Sequence, residues 1–365
     1  MDYTLTETQS EYRRLARAFR EEHEDRIIEC KRESMFPHDL FELGTEHGFP
    51  GLFIPDKYGG EGHGAMEYAL VSEDIGFYQT TYQLARAIMV AGTDEQKKRY
   101  LPEIAAGNVV GSDDISEPEA GSSLKDINTT AERDGDEWVI NGRKTHVNCA
   151  AAADVHHVYT HTDEGLTVFL VEKENPGMQI GEKEEPIGTR EMPISDVIYD
   201  DCVVSDDQML GENGGGYEVF FKTFNFSRVG NASDILGSGR RSLDTAIEWA
   251  SEREVGDQGV VTGFQGNRWK IAELKTQLHC VEHLRNEAAW RLDQGDPAVK
   301  YTCMAKLRAG EVALAAIEEA IQLTGAHGLY REQNFDIAFA DAKTLDVAGG
   351  SREIMRNVIA DQILE

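Results

Sequence analysis

The feature that most constrains the fold of this 365-residue chain is a change of hydrophobic periodicity. Up to about residue 107 the pattern is helical, with a capping-box sequence at Thr6–Gln9 and a second helix predicted to begin at Asp94. From about Val109, short alternating runs separated by Asp-Gly, Asn-Gly and Pro-Gly predict strands. Beyond Tyr217 helical spacing returns and continues almost to the C-terminus.

We therefore predict an α+β fold in three parts. These are an N-terminal α-helical domain at 1–108, a central antiparallel β domain at 109–215 and a C-terminal helical bundle at 216–365. In the last part, apolar residues recur at helical spacing in two stripes, which predicts long helices that each bury one face. The first stripe is Ile271, Leu274, Leu278, Val281 and Leu284, and the second is Val312, Ala316, Ala320 and Leu323.

The charge of the chain limits its partners. Sixty-six acidic residues against 36 basic ones give a formal net charge of -30, which repels nucleic acid and anionic membranes. We expect no binding to either. The acidic residues are scattered along the chain, a distribution typical of hydrated surfaces in a saline cytoplasm, and we expect folding to strengthen with salt.

Cysteine use and the N-terminus indicate a cytoplasmic protein. The five cysteines are widely spaced and include no Cys-x-x-Cys pair, so we expect neither a disulfide framework nor a zinc site. The N-terminus lacks the pattern of a signal peptide, and no apolar run approaches membrane-spanning length. His156 and His157 are adjacent in a predicted strand and should face opposite ways, so we expect no metal site there. Nicotinamide, P-loop and zinc-protease motifs are absent from the sequence.

Four segments together carry a resemblance to a known family. They are Gly92-Thr-Asp-Glu-Gln-Lys-Lys-Arg-Tyr-Leu, Ser116-Glu-Pro-Glu-Ala-Gly-Ser, Val139-Ile-Asn-Gly-Arg-Lys and the C-terminal Asp341-Ala-Lys-Thr-Leu-Asp-Val-Ala-Gly-Gly-Ser-Arg-Glu. In this order and spacing, the chain resembles the acyl-CoA dehydrogenases over nearly its entire length. The resemblance implies a four-helix C-terminal bundle, with FAD held between bundle and β domain and completed by a neighbouring subunit.

The same resemblance implies a reaction and partners. The family oxidises acyl-CoA thioesters to 2,3-enoyl products: a carboxylate removes the α-proton while the β-hydrogen leaves as hydride to the flavin, and hydrogen-bond donors polarise the thioester. Electrons then pass to an electron-transfer flavoprotein. A homotetramer or homodimer is implied, and a hetero-oligomer stays open.

Site residues follow from the matched positions. Those implied to contact FAD are Ile115, Ser116, His146, Val147, Asn148, Arg253, Phe264, Gln265, Gln322, Gly325, Ser351 and Glu353. Those implied to contact substrate are Ser122, Asn225, Ser227, Arg228, Gly349 and Gly350. Four positions depart from the family pattern: Asp113 replaces an aromatic or apolar residue, His146 a tryptophan and Ala326 a glycine, and Asp257 brings an acid near the expected phosphates.

The catalytic base is missing. Of the two positions where the family places its glutamate, one holds Ser227 and the other Gly349, and neither can deprotonate a carbon acid without a stronger base. The catalytic residue is therefore unknown. Asp346 and Glu353 are candidates for a displaced base, although Asp346 is better interpreted as a solvated acid on an acidic surface. The helix within 73–92 is also shorter than its family counterpart, which leaves the shape of the acyl pocket open.

Three functions remain open at this point. The first is a flavin-dependent dehydrogenase or reductase of acyl-CoA thioesters with a relocated base, favoured because more cofactor positions are retained than lost. The second is the non-catalytic subunit of a hetero-oligomer. The third is a CoA-ester-binding protein on the same fold.

Overall fold

The structure, a computed structural model, describes residues 4–364. Its first part is helical. Thr6 caps the first helix through reciprocal bonds with Gln9, and Thr93 caps the fifth through the same bonds with Gln96, so both predicted helix starts are confirmed. The helices are α1 (Glu7–Glu33), α2 (His38–Leu43), α3 (Ala65–Ser72), α4 (Gln79–Ala91) and α5 (Asp94–Ala105).

The middle part is one mainly antiparallel sheet. Its strands are β1 (Gly111–Asp114), β2 (Thr130–Asp134), β3 (Glu137–Asn148), β4 (Val155–Thr162), β5 (Gly165–Glu172), β6 (Met178–Lys183), β7 (Ile194–Ser205) and β8 (Met209–Leu210). They lie in the order β6-β7-β3-β2-β4-β5-β8, and β1 pairs with β4. The β1–β4 and β2–β4 pairs are parallel, which the sequence did not indicate.

The last part is again helical, as predicted. Its helices are α6 (Gly216–Glu252), α7 (Gln265–Asp293), α8 (Val299–Thr324), α9 (Phe335–Val347) and α10 (Arg352–Leu364). The two predicted apolar stripes lie on α7 and α8 and pack with α6 in one core. Within the described residues, no helix is long and apolar enough to cross a membrane.

Helix α6 joins the three parts. Near its start, Phe224 and Val229 belong to the core of the N-terminal helices, whereas Ile235 and Leu236 belong to the core of the bundle. Strand β1 packs closely on α4, since a Cβ added at Gly111 would lie 2.6 Å from the Leu84 Cβ. Strand β1 and helix α6 thus both pack against the N-terminal helices, and the predicted site residues Ile115 and Ser116 follow β1 directly.

Candidate active site

Two predicted flavin segments lie side by side at one edge of the sheet. Ile115 and Ser116 directly follow β1, and Asn148 ends β3. The Thr145 N–H donates to the Ser116 carbonyl at 2.8 Å, and the Ser112 hydroxyl donates to the Asn148 carbonyl at 3.1 Å. The structure thus brings together the two stretches that the sequence separates by about thirty residues.

His146 and Val147 occupy an irregular point of β3. Pairing with β7 shifts register between Lys144 and Val147, and His146 has a positive φ of 55°. The His146 side chain is 70% exposed, with Nδ1 2.9 Å from a Glu184 carboxylate oxygen, whereas Val147 is buried. The bulge therefore turns the imidazole outward.

A buried ion pair anchors the loop that follows β1. Lys144 Nζ lies 2.8 Å from the Glu117 carboxylate and donates to the Ile115 carbonyl at 3.1 Å. Glu117 also accepts from the backbone N–H groups of Asn128 and Thr129. Burial lowers the pKa of Lys144, and Glu117 only partly offsets that effect. The loop is thus held from inside the sheet.

The adjacent histidines bind different carboxylates. His156 Nδ1 lies 3.1 Å from Asp114, which also accepts from the Tyr199 hydroxyl at 2.7 Å. His157 Nε2 lies 3.0 Å from Asp113. Burial opposes a charged imidazole, but Asp113 outweighs it and the pKa of His157 is raised. The acid at 113 therefore lies within ion-pair distance of His157, although the two atoms do not have hydrogen-bond geometry.

The two vacant base positions both lie next to the side chain of Asn231. A Cβ added at Gly349 would lie 2.7 Å from Asn231 Nδ2, and Asn231 is one helical turn from Ser227 on α6. Gln79 Nε2 is 3.1 Å from both the Ser227 carbonyl and Asn231 Oδ1. Ser227 itself donates to the Phe224 carbonyl at 3.1 Å. None of these side chains is a carboxylate.

Arg228 is a buried cation on the same stretch of α6. Its side chain is nearly inaccessible, and its Nε has no hydrogen-bond partner among the described residues. Burial lowers the pKa of Arg228. An orphaned donor of this kind is costly, and it suits a site that a polar ligand fills.

Lys306 of α8 holds the glycine turn. Its Nζ donates to the Asp346 carbonyl at 3.1 Å and to the Gly350 carbonyl at 2.7 Å, and its Cε would lie 3.7 Å from a Cβ at Gly349. Burial lowers the pKa of Lys306 to about 8, with Asp346 opposing that shift. The lysine shapes the turn that holds Gly349, Gly350 and Ser351.

The two candidate bases are otherwise engaged. Asp346 is not the solvated acid that the sequence suggested: it is 2% exposed, and its carboxylate binds Lys343 at 2.9 Å and Arg352 at 2.8 Å. Burial raises its pKa, but these cations outweigh burial and lower it. Glu353 points into solvent, with 75% of its side chain exposed, near Arg356.

The predicted phosphate-binding residues lie at the far end of the bundle. Arg253 caps the C-terminus of α6, and its guanidinium lies 5.9 Å from the ring of Trp249. That ring stacks on His327 at 5.4 Å, next to the turn that contains Gly325 and Ala326. The other members of this group are Gln322 in the last turn of α8, and Phe264 and Gln265 at the start of α7. Trp249 thus joins segments that the sequence kept separate.

Ser122 and Asn225 have contrasting surroundings. Ser122 is exposed on the loop after β1. Asn225 is buried, donates to the Pro297 carbonyl and accepts from the Thr302 hydroxyl at 2.5 Å. Its amide is therefore fully engaged by the start of α8. Asp257 lies exposed in the loop between α6 and α7.

The chain combines a helical domain, a sheet followed by a donor-bearing loop, and a bundle whose first helix carries a buried arginine. This is the three-part architecture of the acyl-CoA dehydrogenase fold. Family models for the acyl-CoA dehydrogenase N-terminal, middle and C-terminal domains match residues 6–108, 113–202 and 214–364. The chain therefore belongs to the acyl-CoA dehydrogenase family.

Three similar proteins illustrate the match. A 3-(aryl)acrylate reductase of Clostridium sporogenes is 30% identical over 99% of this chain and 100% of its own. The butyryl-CoA dehydrogenase structure from Megasphaera elsdenii is 27% identical, with a TM-score of 0.96 and full coverage of both chains. A chain of a structure named for the electron transferring flavoprotein of Acidaminococcus fermentans is 29% identical, with the same TM-score and coverage.

Family membership confirms FAD as the predicted cofactor, and the residues present fit it. At the edge formed by Ile115, Ser116 and Asn148, the partly exposed Ser116 and Asn148 present polar side chains, and Arg253 is exposed and forms no ion pair within residues 4–364. A guanidinium in that state suits a diphosphate. No group of three or more metal-binding side chains occurs in the same described range.

Several residues of the site were not identified from sequence. Asn231 and Gln79 are ordinary amides without a motif, and only their packing reveals them. Lys144 and Glu117 lie inside the matched segments, so their position in those segments was the available signal. Lys306 lies on the buried face of α8 among small residues, an unusual place for a charge.

Proposed function

We propose that this chain is an FAD-dependent oxidoreductase that acts on the α,β bond of an acyl-CoA thioester without the carboxylate base that is usual in its family. The observation that carries the proposal is the convergence of Ser227 and Gly349 on Asn231. Both positions lie next to Asn231, Ser227 one helical turn before it on α6 and Gly349 across from its amide, and neither position provides a carboxylate. The site architecture is thus retained while its strongest base is absent.

The surrounding residues support thioester binding. Arg228 offers buried donors, which act strongly where water is excluded. Lys306 fixes the Gly349–Ser351 turn by binding carbonyls on both sides of it. Bound FAD supplies the acceptor or donor of hydride, and the chain supplies orientation and exclusion of water.

We further propose that each FAD is completed by a second copy of the chain. Arg228 and Arg253 lie on one helix, about 37 Å apart at 1.5 Å per residue. A single dinucleotide is shorter than this distance. The phosphate-binding residues near Trp249 therefore meet the FAD of a neighbouring subunit rather than the FAD beside Ile115 of their own chain.

A second candidate function is the non-catalytic subunit of a hetero-oligomer. The vacancy at both base positions favours it, since no carboxylate among residues 4–364 bonds Asn231 and Asp346 is held by cations. In that assembly a partner chain that carries the glutamate would perform the chemistry. An electron-transfer flavoprotein as redox partner and a cytoplasmic location complete the proposal.

An anaerobic titration tests these proposals. The protein is purified alone in high salt, and its flavin band is followed as short, branched and long acyl-CoA thioesters are added. The same protein, reduced with dithionite, is then titrated with 2,3-enoyl thioesters. Stoichiometric FAD that one thioester series bleaches or reoxidises supports the oxidoreductase. FAD that responds to neither series overturns it, and a colourless protein supports the hetero-oligomer.

A further inference from the structure

Two histidine rings meet on the exposed side of α7. His279 and His283 are four residues apart on this helix, so their side chains lie on the same face. Their Nε2 atoms are 3.0 Å apart, and the ring centroids are 4.4 Å apart with the ring planes inclined at 76°. Two nitrogen atoms from consecutive helical turns are thus close together at the protein surface.

The distance between these nitrogens is that of two ligands on one metal ion. Metal–nitrogen bonds of about 2.0–2.1 Å place two imidazole nitrogens roughly 2.9 Å apart at a right angle and roughly 3.4 Å apart at a tetrahedral angle. The observed 3.0 Å lies between these two values. Exposed side chains change conformation rapidly, so small rotations of the two rings suffice to direct both lone pairs at one ion.

A carboxylate supports the first ring from its other side. His279 Nδ1 lies 3.5 Å from Oε2 of Glu282, and Glu282 is itself held by Arg240 at 2.7 Å and by Arg13 at 3.7 Å. A carboxylate beside Nδ1 favours the tautomer with its proton on that nitrogen, which leaves the Nε2 lone pair for a metal ion. Histidines that bind metal usually have such a partner. Glu282 therefore orients the ring and is not itself a ligand.

The charges around the pair leave it open to a cation. The side chain of His279 is 66% exposed, and His283 is exposed as well. Lys275 and Glu287, one helical turn to either side of the pair, are each held in an ion pair. The whole chain carries a net charge of -30, which concentrates cations at its surface. An ion bound by both rings would complete its coordination with water.

We propose that His279 and His283 form a binding site for one divalent transition-metal ion, with Glu282 as the carboxylate that orients His279. Paired imidazoles suit Cu²⁺, Ni²⁺ and Zn²⁺, with Cu²⁺ bound most tightly, whereas Ca²⁺ and Mg²⁺ prefer oxygen ligands. His279 lies about 21 Å along α7 from Gln265, at 1.5 Å per residue. The site is therefore separate from the proposed flavin positions on this helix, and the assignment goes beyond the proposed function without resting on it.

Titration with a chelated copper ion tests the site. Cu²⁺ bound to iminodiacetate keeps few coordination positions open, which favours two neighbouring imidazoles over scattered carboxylates. The parent protein carries no affinity tag and has the substitution Cys280→Ser, which removes an exposed thiol. Electron paramagnetic resonance should show one ion per chain with nitrogen ligands. His279→Ala and His283→Ala should each weaken binding more than about tenfold, since even the loss of a partner that only orients a ligand costs about that much.

The matched control is His38→Ala, which removes an exposed histidine at the start of α2 and should leave the affinity unchanged. Bound copper should also raise the midpoint of thermal unfolding of the parent but not of the His279→Ala and His283→Ala variants.

Three outcomes would contradict the assignment. Binding as tight as that of the parent in both His279→Ala and His283→Ala would overturn the site, and so would displacement of the copper complex by Mg²⁺ at equal concentration. Either result means that carboxylates hold the ion. Glu282→Gln should weaken binding by a smaller factor than loss of either ring, and unchanged affinity in that variant would refute the orienting role of Glu282.

Discussion

Gly349 and Asn231 lie so close that a Cβ on the glycine would be 2.7 Å from Asn231 Nδ2, at a backbone φ of +67°. The base position in the glycine turn is therefore blocked by a side chain and by backbone conformation. The base position on α6 is different, because Ser227 has ordinary helical geometry. The sequence gives no reason to distinguish the two positions. The structure does, because a positive φ and a close side chain restrict only Gly349.

We expect the variant Ser227→Glu to supply a working catalytic base, and the variant Gly349→Glu not to. Ser227 is buried on α6 one turn before Asn231, so a glutamate there keeps ordinary helical geometry close to Asn231, whereas Gly349→Glu must strain the turn and displace Asn231. We expect the rate of flavin bleaching by acyl-CoA to rise at least tenfold in Ser227→Glu. Stopped-flow absorbance measures it, with Ser227→Gln as control. An equal gain in Ser227→Gln would show that the carboxylate is not responsible.

Arg228→Met should weaken thioester binding without loss of stability. The buried guanidinium has an unpaired Nε, so removing it relieves the cost of desolvation while it deletes the proposed substrate contact. Arg240→Met is the matched control on α6, because Arg240 pairs with Glu73 at 2.6 Å and Glu282 at 2.7 Å. We expect Arg240→Met to lose about 2 kcal/mol of stability and keep its affinity. Calorimetry and chemical unfolding measure both quantities, and a large stability loss in Arg228→Met would contradict the assignment.

Two defective chains should complement each other if FAD spans two subunits. Ser116→Phe is designed to block the proposed flavin edge, and Arg253→Ala to remove the proposed phosphate contact. Each variant alone should bind little FAD. A mixed assembly isolated through two affinity tags should regain flavin absorbance, because one of its sites combines the two intact halves. If FAD lay within a single chain, the mixed assembly would stay colourless.

Lys306 should make stability rise with alkaline pH. Its pKa falls from 10.5 in the unfolded chain to about 8 in the fold, so the unfolded state binds more protons between those values. The free energy of unfolding therefore gains a contribution as pH increases from about 8 to 10.5. Urea unfolding across that range should show a positive wild-type slope relative to Lys306→Met. The exposed Lys98→Met should behave like wild type, and parallel curves for all three would refute the lowered pKa.

Added salt should raise the midpoint of thermal unfolding. With a net charge of -30, the folded chain repels itself more strongly than the expanded one, and counterions screen that repulsion. Scanning calorimetry over a potassium chloride series checks this. A flat or falling midpoint would mean that local ion pairs already balance the surface charge.

The fold was predictable because local signals and family motifs agree along the chain. The caps at Thr6 and Thr93 appear in the sequence as side-chain patterns, and the buried stripes of α7 and α8 appear as helical periodicity. The parallel pairing of β1 with β4 has no such local signal, since it depends on which strands the chain brings together.

The site was predictable only in part. Family positions located Ser227 and Gly349, but not that both lie next to Asn231. Asp346 was misjudged because its partner Arg352 follows a glycine turn that folds back onto it, and charge spacing along a sequence does not show that reversal. Whether a polar group such as the Tyr159 hydroxyl is buried without a partner depends on packing, which a single sequence does not reveal.

The ion pair between Lys144 and Glu117 has a consequence for how the cofactor arrives. Because it ties the loop after β1 to the sheet interior, the donors on that loop keep their arrangement before FAD binds. The loop then loses little conformational entropy when FAD binds, because it is already preorganised in the free protein. If the proposed second subunit completes the site, flavin uptake by the apoprotein is governed by assembly of that subunit and not by ordering of the loop.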